Sequence, residues 1–594
     1  MPRFKRRVTL QSGVLPGDQV KPVPVAAPRS YCTRAAWLLG VGCFLIYLGN
    51  LRQMPGWDCI PARMLPFSIL QEGNFDLDEF TWLRHRKTPP HFLRQGHDRH
   101  WYSSYPIGTP VLVTPLYIPV AWWRQHYHID NDDVRFRLAS VVMERVAAAL
   151  VTAVSVSLVF LAATAVTSRR GATGAALVYG LGTNTWAISS QVLWQHGAAE
   201  LGLAGMSLCL MLPDRRGRAV AAGGFAALAV LARPPMLIFA LVALLFIWRE
   251  RRGQLVLFLI FPIIGATLLC AYALHVSSIA TGPVAANSFT VPHLARMTGL
   301  LVSPNRGLFV YTPLTALAVP ALWRLDPTAP RWLAYAPIGI AGYLVLLSTF
   351  VTWWGGYCYG PRYLTDLLPI LVLCAAGTVR RLWGSQHGRV LVATLALWGV
   401  VVQVIGVYCD DEAWNAWPEP VDVAPWRVWD WTDPQIVRAA HSGWHGFDSA
   451  PFLWHSLLHS SAAELKPLVS RDLAAELTSP DRLPLHYRAS STGRLRLRIT
   501  NLSEVRWPAF ADYGYLYVSV AYRWRHDGTV VQGEGGFIPL PWNLDARESA
   551  TIRSRIKAPA YRGSYQLELM VTQLLDAEKG VVGDAVLRMP VEIE

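Results

Sequence analysis

Apolar runs long enough to cross a bilayer dominate this chain, and no other feature restricts its folding as much. They fall at roughly 34–51, 138–166, 171–189, 195–212, 219–232, 235–248, 255–275, 308–323, 333–352, 363–379 and 389–408. A bilayer core is spanned by about 20 apolar residues of helix, so the pattern predicts a polytopic α-helical membrane protein of about eleven spans. Composition agrees: 16% of residues are charged, against about 25% in an ordinary soluble domain. A further run, Thr109–Trp123, carries Pro110, Pro115 and Pro119 and ends in paired tryptophans. That proline density reads as an interfacial or re-entrant segment rather than a span.

The formal net charge of +14 does not point to nucleic acid, because the arginines lie in short loops between apolar runs instead of in one patch. "TSRRG" (167–171), "PDRRGR" (213–218), "WRERRGQ" (248–254), "WRLDPTAPR" (323–331) and "RRLWGSQHGR" (380–389) alternate with arginine-poor loops such as "SQVLWQHGAAE" (190–200) and "WWGGYCYGPRY" (353–363). By the positive-inside rule, the basic N-terminus (1–33) is cytoplasmic and the long loop 52–137 is outside. The membrane domain then covers 34–409, and everything beyond it is outside. No small-residue cleavage site follows the first run, so it reads as a retained span.

From Asp410 the material changes. "WNAWPEPVDVAPWRVWDW" (414–431) opens a tryptophan-rich interfacial linker, 410–482. From about Leu483 apolar and polar residues alternate, as in "GRLRLRITNLS" (493–503), which predicts an all-β sandwich over 483–594. Trp507, Tyr513, Tyr515, Tyr517, Tyr522 and Trp524 serve there as core or as a glycan-binding face. The eight cysteines form no CxxC or zinc-like spacing, and no metal ligand is nominated. Cys59, Cys358 and Cys409 fall on the outer side, where one disulfide among them is open.

The outer loop holds the residues that suggest chemistry. In "MPGWDCIPARMLPFSILQEGNFDLDEF" (54–80), Asp58 precedes a short helix, Arg63 lies in its first turn, and Asp76 and Asp78 follow. "RQGHDRHWYSSYPIGTP" (94–110) adds Arg99, His100 and Tyr105. Outer mouths of later spans contribute His196 and Glu200 in "WQHGAAE", Arg306 and Tyr311 in "SPNRGLFVYTP", and Trp354, Tyr357, Arg362 and Asp366 in "WWGGYCYGPRYLTD". Ionisable residues at such depth mark sites or pathways. Each also has a structural reading: a helix cap for Asp58, a loop ion pair for Arg63, a snorkelling side chain for Arg306, an i,i+4 pair for Arg362 with Asp366. Arg233, before Pro234-Pro235, reads as an interfacial anchor.

The acid after span one, Arg63 a few residues on, "EGNFDLD" (72–78) and "YSSYPIGTP" (102–110) resemble the GT-C superfamily of membrane glycosyltransferases, which includes protein O-mannosyltransferases and lipid A aminoarabinose transferases. The wording "YSSYPIG" is closest to a bacterial branch. Tyr105 stands where the family has the lysine of a Lys-Pro-Pro element, so phosphate contact there passes to Arg99 or His100. The resemblance implies transfer of a sugar from a polyprenyl-phosphate donor to a glycan, lipid or protein outside the cytoplasm, with inversion. Asp58, with Asp76 and Asp78 as alternates, would be the base. Arg63, Arg306 and Arg362 would hold the phosphate, and His196, Tyr311, Trp354 and Tyr357 would line the site. It also implies a bacterial cytoplasmic membrane with a periplasmic C-terminal domain, and it leaves a divalent cation open. The rival reading is a transporter of lipid-linked substrates or a non-catalytic subunit of an envelope-glycan assembly complex. Transporters tend to show internal repeats and helices broken at mid-membrane, and no repeat is visible here.

Overall fold

A computed structural model of the chain describes residues 30–52, 56–84, 90–131, 133–213, 215–276, 289–323, 329–410, 412–416, 419–445, 466–489, 491–509, 517–575 and 580–594. Its helical part comprises α1 Ser30–Leu48, α2 Ile60–Gln71, α3 Gly108–His126, α4 Val134–Ala163, α5 Arg169–Leu181, α6 Gln195–Met211, α7 Arg216–Ala232, α8 Leu237–Glu250, α9 Leu255–His275, α10 Leu294–Val302, α11 Leu308–Tyr311, α12 Val319–Trp323, α13 Ala336–Ser348, α14 Leu368–Leu382, α15 Gln386–Tyr408, α16 Ala413–Ala416 and α17 Gln435–Ser442. Short polar side chains start several of them: Asp133, Ser168 and Ser385 accept backbone N–H bonds at the N-termini of α4, α5 and α15. Pro61, Pro337 and Pro369 occupy first turns, where a missing N–H costs nothing.

Among the described residues, four helices are long and apolar enough to cross a membrane: Arg135–Ala163, Arg252–His275, Arg362–Leu382 and Gln386–Tyr408. The other apolar runs fold into shorter pieces. The run at 308–323 is divided into α11, a 3-10 turn over Pro313–Ala318 and α12, because Pro313 and Pro320 lack the N–H a continuous helix requires. The run at 171–189 ends as α5 at Leu181 and resumes as a π-turn, Thr185–Ser189. Conversely, Thr109–Trp123 lies inside one unbroken 19-residue helix, α3, despite Pro115 and Pro119. Small residues let helices approach closely: a Cβ on Gly223 of α7 would stand 2.1 Å from the carbonyl oxygen of Phe258 in α9.

The outer loop adds a hairpin, β1 Leu93–Gln95 with β2 Trp101–Ser103. The C-terminal strands are β3 Ala475–Thr478, β4 Leu485–Tyr487, β5 Thr492–Asn501, β6 Val518–His526, β7 Thr529–Pro539, β8 Ser549–Lys557, β9 Gly563–Leu574 and β10 Gly580–Ile593. They make a five-stranded sheet, β4-β10-β9-β6-β7, and a three-stranded one, β3-β5-β8. Leu495, Leu497 and Ile499 of β5 and Leu567, Leu569 and Val571 of β9 meet in one apolar core. Arg494, Arg496 and Arg498 alternate outward, as the period of two requires. Trp507 and Trp524 are core residues whose indole N–H groups donate to Asp472 and Lys557 carbonyls. Tyr513 and Tyr515 lie outside the described residues.

Two features of the segment after the helices differ from the expectation. Leu468 and Leu473 belong to the β-domain core and β3 begins at Ala475, ahead of the expected 483, because a four-residue edge strand is too short to show an alternating pattern. The tryptophan-rich segment is not simply an interfacial strip. Trp414 and Arg427 are buried against the helical body, whereas Trp426, Trp431 and Trp444 stay exposed. All eight cysteines are free thiols, so no disulfide joins Cys59, Cys358 and Cys409.

Candidate functional site

A cavity of about 1060 Å³ is lined by the C-terminal ends of α9 and α13, the N-terminal ends of α3 and α6, and the segments leading into α2, α8 and α14. Its polar wall carries Asp58, His91, Tyr105, His196, Arg233, Tyr357 and Arg362; Leu269, Cys270, Ala273, Leu346 and Phe350 form an apolar side. Two of the loops lining it, 190–200 and 353–363, are among those that the sequence makes arginine-poor.

Local sequence places these groups. Asp58 sits in a 3-10 turn, Trp57–Cys59, pressed against the segment before α6. A Cβ on Gly56 would come within 2.5 Å of Val192, so only glycine permits that approach. Arg362 is delivered by the "WWGGYCYG" loop, in which Gly355, Gly356 and Gly360 all have positive φ, a conformation glycine adopts without steric cost.

Asp58 and Arg362, 304 positions apart, meet with Arg362 Nη1 3.2 Å from Asp58 Oδ2. The other carboxylate oxygen, Oδ1, is 2.8 Å from His91 Nε2. Burial alone would raise the Asp58 carboxyl's pKa, but the His91 hydrogen bond, the Arg362 charge and a bond from Tyr105 hold it at about 2. Burial and the neighbouring Asp58 charge keep the Tyr105 phenol protonated. Arg362 lies 4.3 Å over the Trp194 ring and 8% exposed. Among the described residues its guanidinium makes no hydrogen bond besides that to Asp58, and its Nε is buried without a partner.

Behind Arg362 lies a second buried cluster. Asp366, fully enclosed, faces His196 Nδ1 at 2.8 Å and Arg233 Nε at 2.6 Å and accepts from the Tyr343 hydroxyl. Arg233 Nη1 lies 3.3 Å from His196 Nε2, and its guanidinium is 5.5 Å from the Tyr363 ring centre. Arg362 therefore pairs with Asp58, not with the neighbour at i+4, and Arg233 is a wall residue of the cavity instead of an interfacial anchor.

Several expected site residues are elsewhere. Arg63 forms a buried pair with Glu144 of α4 at 3.3 Å and does not line the cavity. Arg306 donates to the Trp354, Asn305 and Gly356 carbonyls, to Gln435 and to Asn415. Those bonds occupy all five guanidinium N–H groups, so Arg306 staples the post-span segment to the body and has none left for phosphate. Tyr311 donates to Gln435, and Trp354 donates to Asp422; both stand behind the wall. Arg99 is exposed in the β1–β2 turn at φ +70°. His100 meets Asp78 at 2.7 Å, a contact that raises its pKa. Asp76 is buried in a bridge to Tyr102.

A divalent cation does not fit beside Asp58, whose two oxygens already face a guanidinium and an imidazole. Asp76, Asp78 and His100 offer ligand atoms within 4.8 Å of one another, but Asp78 is occupied by His100, the Trp101 N–H and Arg84. His91 was not nominated from the sequence at all. Its only signal was its place directly after Pro-Pro, which restricts the backbone ahead of it.

No family model and no curated protein matches the chain. Solved structures similar to it include ArnT from Cupriavidus metallidurans bound to undecaprenyl phosphate, at 16% identity over 64% of this chain and 71% of that one, TM-score 0.38. The oligosaccharyltransferase AglB from Archaeoglobus fulgidus, in complex with an inhibitory peptide and a dolichol-phosphate, is similar at 10% identity and TM-score 0.36. The match covers 67% of this chain and spans 58% of the oligosaccharyltransferase. Both are GT-C fold enzymes. A CARDB domain from Pyrococcus furiosus is similar over 23% of this chain and all of its own length, at 18% identity and TM-score 0.13.

Proposed function

We propose that the chain is a membrane glycosyltransferase of GT-C type that takes a sugar from a polyprenyl phosphate and passes it to an acceptor outside the cytoplasm. The observation that carries this reading is the Arg362 guanidinium, buried in a cavity wall beside a carboxylate, with hydrogen-bonding capacity unused. A leaving phosphate needs such a preorganised cation as its charge develops. Arg233 and His196 line the same cavity. Tyr357, 40% exposed, offers an aromatic face for the sugar.

The surroundings favour a lipid donor. The apolar side of the cavity is contributed partly by α9, whose spanning window is only 11% buried in the protein; a prenyl chain reaching the cavity from the bilayer would pass along that helix. The volume is at the upper end of small-ligand pockets, about 300–1,000 Å³, enough for a sugar phosphate together with part of an acceptor. The helix ends that meet at the cavity are the ones that the arginine distribution assigns to the outside. About eleven spans, a cytoplasmic N-terminus and a periplasmic β-sandwich in a bacterial cytoplasmic membrane complete the proposal. The acceptor is a glycan, lipid or protein. The test is transfer of labelled sugar from undecaprenyl-phosphate-linked donors by the protein in nanodiscs supplied with envelope extract. Asp58→Asn abolishes transfer under this reading, and turnover unchanged in that variant would refute it.

A further inference from the structure

The proposed transfer requires a group that takes a proton from the acceptor, and Asp58 is poorly suited to that step. Both of its oxygens are engaged, by Arg362 and by His91. Burial works against its charge, yet the His91 bond, the Arg362 charge and the Tyr105 bond outweigh it and leave a carboxyl with pKa about 2. A base so weak captures a hydroxyl proton at a large energetic disadvantage, whereas general bases work best near the operating pH.

His91 has the complementary properties. Its Nε2 is 2.8 Å from Asp58 Oδ1, and a carboxylate in that position selects the tautomer with the proton on Nε2. The lone pair is then on Nδ1, which makes no hydrogen bond among the described residues. The side chain is 53% exposed and lines the cavity, and its edge packs on Phe92, with ring centroids 5.6 Å apart. Arg362, Asp58 and His91 thus form a line in which the arginine fixes the carboxylate and the carboxylate fixes the ring. Among the described residues, the titratable and charged groups on the Asp58 side of the imidazole are Asp58 itself, Tyr105 bonded to it, and Arg362 paired with it.

We propose that His91 is the general base of the transfer and that Asp58 is its positioning residue. The inference rests on the glycosyltransferase reading above. In the step, the acceptor O–H gives its proton to His91 Nδ1 as the oxygen bonds to the anomeric carbon. The bond from that carbon to the phosphate oxygen breaks, and its electron pair leaves with the polyprenyl phosphate facing Arg362. The imidazolium, stabilised by the Asp58 carboxylate, then returns its proton to water in the cavity.

The experiment uses the full-length protein in nanodiscs with undecaprenyl phosphate as the binding probe. Undecaprenyl-phosphate-linked glucose, mannose, galactose and aminoarabinose, with envelope extract, serve as transfer probes. His91→Gln retains an amide N–H for Asp58 but cannot accept a proton. It lowers kcat by about 10²–10⁴-fold, the usual worth of a general base, and leaves both the undecaprenyl phosphate Kd and the donor KM unchanged. His91→Ala is partly rescued by free imidazole. Wild-type kcat in His91→Gln would overturn the inference while leaving the transferase reading standing. A wild-type protein that neither binds undecaprenyl phosphate nor transfers any of the sugars would overturn both.

Discussion

Replacing Arg362 by methionine isolates the phosphate-holding role. The thioether chain keeps the aliphatic stem over Trp194, where the guanidinium carbon now sits 4.3 Å from the ring centre, and removes only charge and donors. One charge-assisted hydrogen bond to a phosphate contributes about 1.5–3 kcal/mol, and each 1.4 kcal/mol is a factor of about ten. Arg362→Met therefore weakens undecaprenyl phosphate binding about 10- to 100-fold, measured by tryptophan fluorescence in nanodiscs. The variant also leaves Asp58 without its cation, so the same substitution is made in an Asp58→Asn background. If Arg362 holds phosphate, Arg362→Met weakens binding there too; if it only neutralises Asp58, the second substitution has no further effect. A wild-type Kd in folded Arg362→Met would refute the assignment.

Arg63→Met destabilises the membrane domain by about 3–5 kcal/mol, because it takes the facing guanidinium away from the buried Glu144 carboxylate; Arg63→Met with Glu144→Leu recovers most of that in thermal unfolding, and neither protein changes the undecaprenyl phosphate Kd. The Asp58 carboxyl falls from 3.8 unfolded to about 2 folded, which corresponds to roughly 2 kcal/mol of stability. That contribution is fully present above about pH 4 and is lost as pH falls toward 2; acid unfolding of Asp58→Asn lacks that component, whereas an unaltered acid profile would contradict the charge network.

The sequence made the membrane body legible because bilayer solvation selects apolar runs whatever their partners. It made Asp58 and Arg362 legible as candidates because an ionisable residue at a span mouth is costly enough to be noticed. Their pairing was not legible, since nothing local distinguishes an arginine that meets an aspartate 304 residues away from one that meets Asp366 in the next turn. Arg306 shows the same limit from the other side: its donors are occupied by Asn415 and Gln435, contributed by a segment more than a hundred residues downstream. The proline-broken run at 308–323 looked like one span because hydropathy averages over breaks that backbone hydrogen bonding does not tolerate. His91 escaped notice because a lone exposed histidine in a loop carries no pattern until its carboxylate partner is located in space.

The most direct test is an experimental structure of the protein with undecaprenyl phosphate bound. The account predicts phosphate density within hydrogen-bond reach of Arg362 and on the Asp58 side of the cavity, with the prenyl chain running along α9. Phosphate held at the arginine-rich loops of the opposite face, or a lipid that leaves Arg362 untouched, would contradict it.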